Sequence, residues 1–459
     1  MNPPRTATAA ASPPGASATT LAPGRTFWDE GVETRPRPEL EALQVSLLRD
    51  HLDHAYRGSP WYRRALDAAG VSPRDIRSIA DVAHLPFVDK KLLRDRQLAA
   101  PLLGDLAAVD EREVVYVSAS SGSTGVPTLS PFTAEDFDEF QDVQARLFWA
   151  AGLRPDDRYC HALNFSLFVG GPDVIGAQRV GALCIWAGTV PADRLIFLFQ
   201  QFQPTVTWTT PSYAWYLGET ARAQGIDPAR DLALSRIIVA GEPGGSIGAT
   251  RRAIEELWGA DLFDFYGISD IFGASAGMCA EKDGLHLAED HHLLEVLDPA
   301  TGQAVPDGQQ GEMVLTTLRK RARPMIRFRT GDVVTRDRSP CPCGRTHARI
   351  RIHGRTDDMF IVNGVNVFPS DVEVVVRSLE ELSGEYRITL HRENHLTRFD
   401  LEVEVRSGAS PRTATLPDAV RSAFRNRLGL SPRGVLVHPD GTLPRSVHKA
   451  KRVVDRREG

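Results

Sequence analysis

An α/β fold is predicted: a large N-terminal domain of mainly parallel sheets flanked by helices plus a small β-rich subdomain, and a small mobile α+β C-terminal domain. Three observations carry that expectation. Between Val114 and Gly259 short apolar strand-like runs alternate with helical stretches, the pattern of βαβ units on a largely parallel sheet. After about Leu293 short alternating runs are separated by the turns "PATG" and "PDGQQG", which read as antiparallel hairpins. From Asp358 onward two helical and two strand-like segments suffice for a compact α+β module. A chain of 459 residues can hold two or three domains with substantial cores.

Residues 1–26, rich in Ala, Ser, Pro and Thr, are expected to be a disordered tail. From Glu39 to about Ala69 apolar residues recur at helical spacing and the run stops at glycine, so helices are predicted. "VVYVSAS" follows as a buried strand, and "GALCIW", "PTVTWTT" and "RIIVAGEP" as further strands. "PSYAWYLGETARAQG" and "GATRRAIEELWG" read as the helices between them. The large domain is assigned to 27–355 and the small one to 358–459, with a hinge at about 354–358. In the small domain, helices are expected near "SDVEVVVRSLE" and "PDAVRSAFRNRLG", and strands near "YRITLHR" and "DLEVEVR". No internal repeat of fixed period is present.

Apolar and charged fractions of 42% and 25% are those of a soluble globular protein. A formal charge of -5 gives no reason to expect nucleic acid or an anionic membrane surface. No run approaches the roughly 20 apolar residues that a membrane span needs. Five cysteines, Cys160, Cys184, Cys279, Cys341 and Cys343, fit a reduced, cytoplasmic setting. Lysine is confined to Lys90, Lys91, Lys282, Lys320, Lys449 and Lys451, which narrows the search for a functional lysine.

The stretch "YVSASSGSTGVPTLSPFT", Tyr116 to Thr133, crowds small hydroxyl donors and glycines into one loop. Glycine lets backbone N–H groups approach a ligand, and Ser and Thr add hydroxyl donors, so a polyanion such as a triphosphate suits it; the alternative is a solvated turn. It is not a Walker-type loop, because Val126 follows Gly125 where a lysine would be useful.

"SSGSTGVPT" resembles the phosphate loop of the acyl-adenylate-forming (AMP-binding) ligases, and especially of the phenylacetate-coenzyme A ligase branch. "AGEPGGSI", "DFYGISD", "RFRTGD", "GRTDDMFIVNGVNVFPSDVE" and "LPRSVHKAKRV" follow in that family's order. The resemblance covers roughly Phe27 to Arg456. It implies that Ser121, Gly122, Ser123, Thr124 and Gly125 hold the leaving phosphates. It implies that Glu242, Pro243 and Asp264 border the adenine, with Gly241, Phe265 and Ser269 beside them. Tyr266 and Gly267 would shape the nucleotide pocket, Arg355 would meet the nucleotide, and Asp332 would bind the ribose hydroxyls, since a carboxylate accepts both bonds of a diol. Asp270 stands where the family usually has glutamate and would hold Mg²⁺ through oxygen; the other reading is a helix cap. Lys449 resembles the mobile lysine that stabilises the reacting phosphate, with Lys451 its neighbouring rival and His448 in place of a usual glycine. Lys449, Asp270 and Thr124 form the catalytic set so implied. Asp357 resembles the pivot between the adenylating and thioester-forming arrangements, and Gly364 a lining of the coenzyme A tunnel.

"HALNFSLFVGGPDVIG" resembles the acyl-pocket segment of the family, and Asn164, Phe165, Phe168, Trp208 and Tyr213 would line an aromatic acid with a polar handle. Independently of the family, "CPCG" at Cys341 to Gly344 and "GMCAEKDGLH" at Gly277 to His286 offer Cys279, His286, Cys341 and Cys343 as a tetrahedral, structural Zn²⁺ set. Unmetallated thiols are the alternative, with His291, His292 and His347 as rival ligands.

The expected activity is ATP- and Mg²⁺-dependent adenylation of an aryl or arylalkyl carboxylic acid with pyrophosphate release, followed by transfer to coenzyme A. Transfer to a carrier-protein thiol or an amine, activation of another oxyanion, and a non-catalytic nucleotide-binding protein of the same fold remain as alternatives. The expected partners are the aromatic acid and coenzyme A, without nucleic acid or membrane; a homodimer is expected from the related branch alone.

Overall fold

The computed structural model describes residues 25–100, 102–120, 127–165, 170–362, 365–393, 396–406, 408, 415–444 and 452–457. The expected tail therefore lies almost wholly outside the described residues. The N-terminal helical region is two helices, Arg37–Gly58 and Pro60–Ala69. They break at Ser59, whose hydroxyl caps the second helix by accepting from the Tyr62 amide.

One eleven-stranded sheet organises the large domain. Strands Leu183–Trp186, Arg158–His161, Val206–Thr209, Arg236–Ala240 and Asp261–Ile268 lie parallel in that spatial order. Helices Val174–Val180, Ala192–Phe202, Pro211–Ala223 and Gly248–Trp258 supply the crossovers that parallel pairing demands. After Ile268 the short turn 269–272 leaves no room for a helix, so Gly273–Gly277 returns antiparallel beside its predecessor. Leu285–Leu287, Arg349–Arg355, Phe328–Asp337, Gln310–Thr317 and His292–Leu297 extend the same sheet antiparallel. The β-rich part thus continues the parallel sheet edge to edge. One apolar cluster joins the first helices to this antiparallel half, and a second packs helices against the parallel strands.

The C-terminal part has its own core. Helices Pro369–Arg377 and Leu416–Leu428 cover a sheet ordered Val435–His438, Leu396–Val405, Leu382–Glu393 and Val453–Asp455. It meets the large domain closely at Gly354, where a Cβ would come within 2.4 Å of the Phe368 ring. Ser370 also donates its hydroxyl to the His353 carbonyl. Among the described residues no helix is long and apolar enough to cross a membrane.

Candidate active site

The glycine- and hydroxyl-rich loop closes a hairpin between Val114–Ala119 and Leu129–Thr133. Ser121, Gly122, Ser123, Thr124 and Gly125 lie outside the described residues, but both ends of the loop are placed. The Ser120 amide donates to the Thr128 carbonyl at 3.0 Å, and the two hydroxyls lie 2.7 Å apart. The Thr128 hydroxyl in turn donates to Asp270, so this buried carboxylate sits at the base of the loop. Asp270 belongs to the turn that follows Ile268 and caps no helix. Gln97, from helix Lys90–Ala99, grips the strand side of the loop. Its amide nitrogen donates to the Pro127 carbonyl at 3.0 Å and its oxygen accepts from the Leu129 amide at 2.7 Å.

Strand Asp261–Ile268 builds the next wall by its alternation. Asp264 and Tyr266 project to one face. Phe265, expected near the nucleotide, projects to the other and is buried against Phe148 and Trp208, with ring centroids 5.9 and 5.4 Å away. Its side chain is therefore core, because period-two geometry forbids it the face of its neighbours. At Gly267 a Cβ would come within 2.3 Å of the Gly273 carbonyl oxygen, so the sharp turn to Asp270 requires glycine. Ser269 lies half-buried in that turn. Gly241 and Pro243 are exposed, with half-buried Glu242 between them. Glu242 accepts from the Ser212 amide at 2.8 Å and from the Ser212 hydroxyl; burial nonetheless raises its pKa.

Asp264 accepts from the Ser246 hydroxyl beneath this segment. Burial pushes its carboxyl from 3.8 up to about 7, against the pull of that bond and of Arg251. The fold consequently keeps a proton on Asp264 that the unfolded chain releases near pH 3.8. Stability is expected to decline as pH rises from 3.8 to about 7 and to level off above. Asp264→Asn should flatten that slope in denaturant titrations at pH 5 and pH 8; an unchanged slope would assign it to other groups.

Asp332, buried on strand Phe328–Asp337, pairs across the ladder with Arg355. It accepts from Arg355 Nη1 at 3.0 Å and from the Tyr266 hydroxyl. Arg355 also holds Asp357 through Nε at 2.8 Å and Nη2 at 3.1 Å. The expected ribose and hinge residues thus form one connected network. Lys449, Gly364 and Phe168 lie outside the described residues.

A cavity of about 570 Å³ opens at the carboxyl ends of strands Arg158–His161 and Val206–Thr209, where open α/β sheets bind ligands. Asn164 and Tyr213 line it, with Thr209, Thr210 and Tyr216. Ser212, which donates its amide and its hydroxyl to Glu242, stands next to Tyr213 and so joins the cavity to the nucleotide segment. Two expected lining residues are elsewhere. Trp208 is buried between Phe148 and Phe265, and Phe165 stacks on Trp186 with centroids 5.4 Å apart. Each satisfies its ring against another aromatic instead of the cavity.

Cys279, His286, Cys341 and Cys343 converge, their ligand atoms all lying within 4.8 Å of one another. The Cys279 and Cys341 sulfurs are 3.9 Å apart, and the Cys343 sulfur lies 3.4 Å from His286 Nε2. Tetrahedral zinc would place sulfurs about 3.8 Å apart and sulfur about 3.5 Å from nitrogen. His286 Nδ1 lies 2.9 Å from the His347 carbonyl, the outer contact that orients a metal-binding imidazole. The rivals are engaged elsewhere or apart: His291 meets Glu139 at 2.8 Å, His347 Nδ1 lies 3.1 Å from the Leu287 carbonyl, and His292 is buried beside Phe272.

Sequence reasoning did not select Gln97 or Thr128. Their side chains bind backbone and a carboxylate across 32 and 142 residues, a relation without local signature.

The family model of the AMP-binding enzyme matches residues 61–317, and that of the AMP-binding enzyme C-terminal domain matches 364–457. A phenylacetate-coenzyme A ligase of Thermus thermophilus is 37% identical over 448 residues, spanning 93% of this chain and 99% of that protein. The crystal structure of 2-hydroxyisobutyryl-CoA ligase in its postadenylation state with 2-HIB-AMP superposes with a TM-score of 0.91 at 31% identity, covering 96% of this chain and 95% of that one. The same ligase with 2-HIB-AMP and CoA in the thioesterification state gives 0.72 over the same coverage.

Proposed function

This chain belongs to the AMP-binding enzyme family, and we infer from that premise that it activates an aromatic carboxylic acid with ATP and passes the acyl group to coenzyme A. It is an AMP-forming acid–thiol ligase of the phenylacetate-coenzyme A ligase kind. The observation that carries this reading is 37% identity to such a ligase over 93% of the chain.

Activation requires a carboxylate oxygen to attack the α-phosphate while pyrophosphate leaves, so positioning and charge neutralisation do most of the work. In this reading Asp332 accepts the ribose hydroxyls, held in place by Tyr266 and Arg355. Glu242 and Asp264 keep the adenine segment in position through Ser212 and Ser246. Asp270, an oxygen donor at the base of the phosphate loop, suits Mg²⁺, which would neutralise phosphate charge. The cavity beside Thr210 takes the acid, with Tyr213 and Asn164 on its wall. Rotation about 354–358 then brings the small domain into its second arrangement. The higher TM-score against the postadenylation state supports reading the present arrangement as the one before thioester formation.

Pyrophosphate release across a panel of aryl acids, with mass detection of acyl-coenzyme A, tests the reading. No release with any acid at high protein concentration would overturn it. Adenylate without thioester would move the acceptor to a carrier thiol or an amine.

The cysteine and histidine cluster is proposed to hold one structural zinc, and a reducing, cytoplasmic compartment would keep its thiols available. Spacing and the His347 contact support this. Its loop also carries Arg345, whose Nε donates to buried Glu33 at 2.6 Å, so the metal would help seat the N-terminal segment. Elemental analysis of purified protein is expected to find about one zinc per chain. Cys341→Ser should lose the metal and lower Tm. Metal-free protein with unchanged Tm would overturn the assignment.

A further inference from the structure

The cavity beside the nucleotide segment is floored by a hydroxyl that nothing satisfies. Strand Val206–Thr209 alternates faces. Trp208 turns to Phe148 and Phe265, so Thr207 and Thr209 take the opposite side. Thr207 spends its hydroxyl on the Cys160 carbonyl at 2.8 Å. Thr209, one strand period further on, lines the cavity and is 1% exposed, and its hydroxyl has no hydrogen-bond partner among the described residues. A buried hydroxyl left unpaired is costly, and here the open space beside it is where a ligand can pair it.

The elements around the floor supply further oxygens. Thr210 caps helix Pro211–Ala223 by accepting from the Tyr213 amide at 3.3 Å, which starts that helix at the cavity. Tyr213 and Tyr216, three residues apart, share a helix face, with ring centroids 5.9 Å apart. Burial first, then the proximity of Tyr216 and of Asp193, raises the Tyr213 pKa, so its phenol stays a neutral donor near neutral pH. Asp193, exposed in the first turn of helix Ala192–Phe202, adds a carboxylate to the lining. Among the described lining residues none is lysine, arginine or histidine.

This lining selects among acids. The acid's own carboxylate belongs at the nucleotide, so the cavity meets the remainder of the molecule. At about 570 Å³ its volume is in the range of drug-sized ligands, so one aromatic ring leaves space for a substituent. A bare ring would cover the Thr209 hydroxyl without pairing it. A second carboxylate would meet Asp193 with no cation to balance it.

We propose that the acid activated here carries a hydroxyl or amino substituent, received by hydrogen bonds from or to Thr209 at the cavity floor and Tyr213, Tyr216 and Asp193 on its wall. A hydroxyl can accept from a threonine or a phenol and donate to the carboxylate, and an amino group can donate to any of the four. The cavity thus discriminates by polarity at the end of the acid remote from the reacting carboxylate.

This inference rests on the ligase reading, and its test separates the two. Pyrophosphate release is measured with benzoate and phenylacetate and with the ring-methyl, hydroxy, amino and carboxy derivatives of each. The best hydroxy or amino acid is expected to exceed the unsubstituted acid, and the methyl acid of the same ring position, about tenfold or more in kcat/KM. The dicarboxylic acids are expected to be the poorest. Thr209→Val keeps the side-chain shape without the hydroxyl, and the preference for hydroxy or amino over methyl is expected to fall about tenfold. Tyr213→Phe should lower it as well. Thr207→Val, the same change in the same strand where the hydroxyl is already spent, should leave the preference as it is. Each preference is a ratio within one variant, so a smaller folded fraction cancels. Unsubstituted or methyl acids used as well as the hydroxy and amino acids overturn this proposal alone, and so does a preference that survives intact in both Thr209→Val and Tyr213→Phe. Release with no acid at all overturns the ligase reading and this proposal with it.

Discussion

Asp332→Ala is expected to lower kcat/KM for ATP in the pyrophosphate-release assay by about 100-fold or more, with the KM for the acid little changed. Two hydrogen bonds from a ribose diol to a carboxylate are worth roughly 1.5–3 kcal/mol each, which sets the scale. The carboxylate is already oriented by Tyr266 and by Arg355 Nη1 at 3.0 Å, so its loss removes a preformed acceptor. Arg355 keeps Asp357 as a partner at 2.8 Å and need not collapse into the gap. Asp332→Asn retains one acceptor oxygen and should fall between the two. Equal ATP dependence in wild type and Asp332→Ala would remove the ribose from this wall of the site.

Lys449→Ala is expected to slow adenylation by about 10²–10³, the usual cost of removing one preorganised charge from developing phosphate charge. Thioester formation from preformed acyl adenylate should be spared, because in the proposed cycle the small domain would by then have turned and carried the lysine away. Lys451→Ala, two residues away, should leave adenylation near wild type. The segment that carries Lys449 is anchored at both edges. On one side the Leu443 amide donates to Glu404 at 2.8 Å. On the other, Arg452 pairs with Glu385, and Val453–Asp455 joins the sheet beside Leu382–Glu393. Full adenylation by Lys449→Ala would sink the assignment.

Much of this fold was legible because its elements obey local rules. The strand and helix runs from Val114 to Gly259 have the lengths and apolar periods of βαβ units, and each predicted helix between them is present. The cysteine and histidine cluster was legible by residue type and spacing, although only folding brings Cys279 within 3.9 Å of Cys341, across 62 residues. The aromatic pocket was less so. Phe165, Trp208 and Tyr213 share chemistry, and nothing local says that Trp208 turns into the core while Tyr213 faces the cavity.

By itself the sequence determined the reaction class, because ordered motifs carry the residue types that nucleotide chemistry needs and those types do not depend on context. It also determined the element order, since burial imposes periods of two and near four on the chain. Only the tertiary structure decided which side of a strand Phe265 and Tyr266 take relative to the site. It alone placed Gln97 and Thr128 around the loop and Lys90 against Asp270. The physical reason is range: periodicity acts over a few residues, whereas charge pairing and side-chain clamps act between segments that only packing brings together.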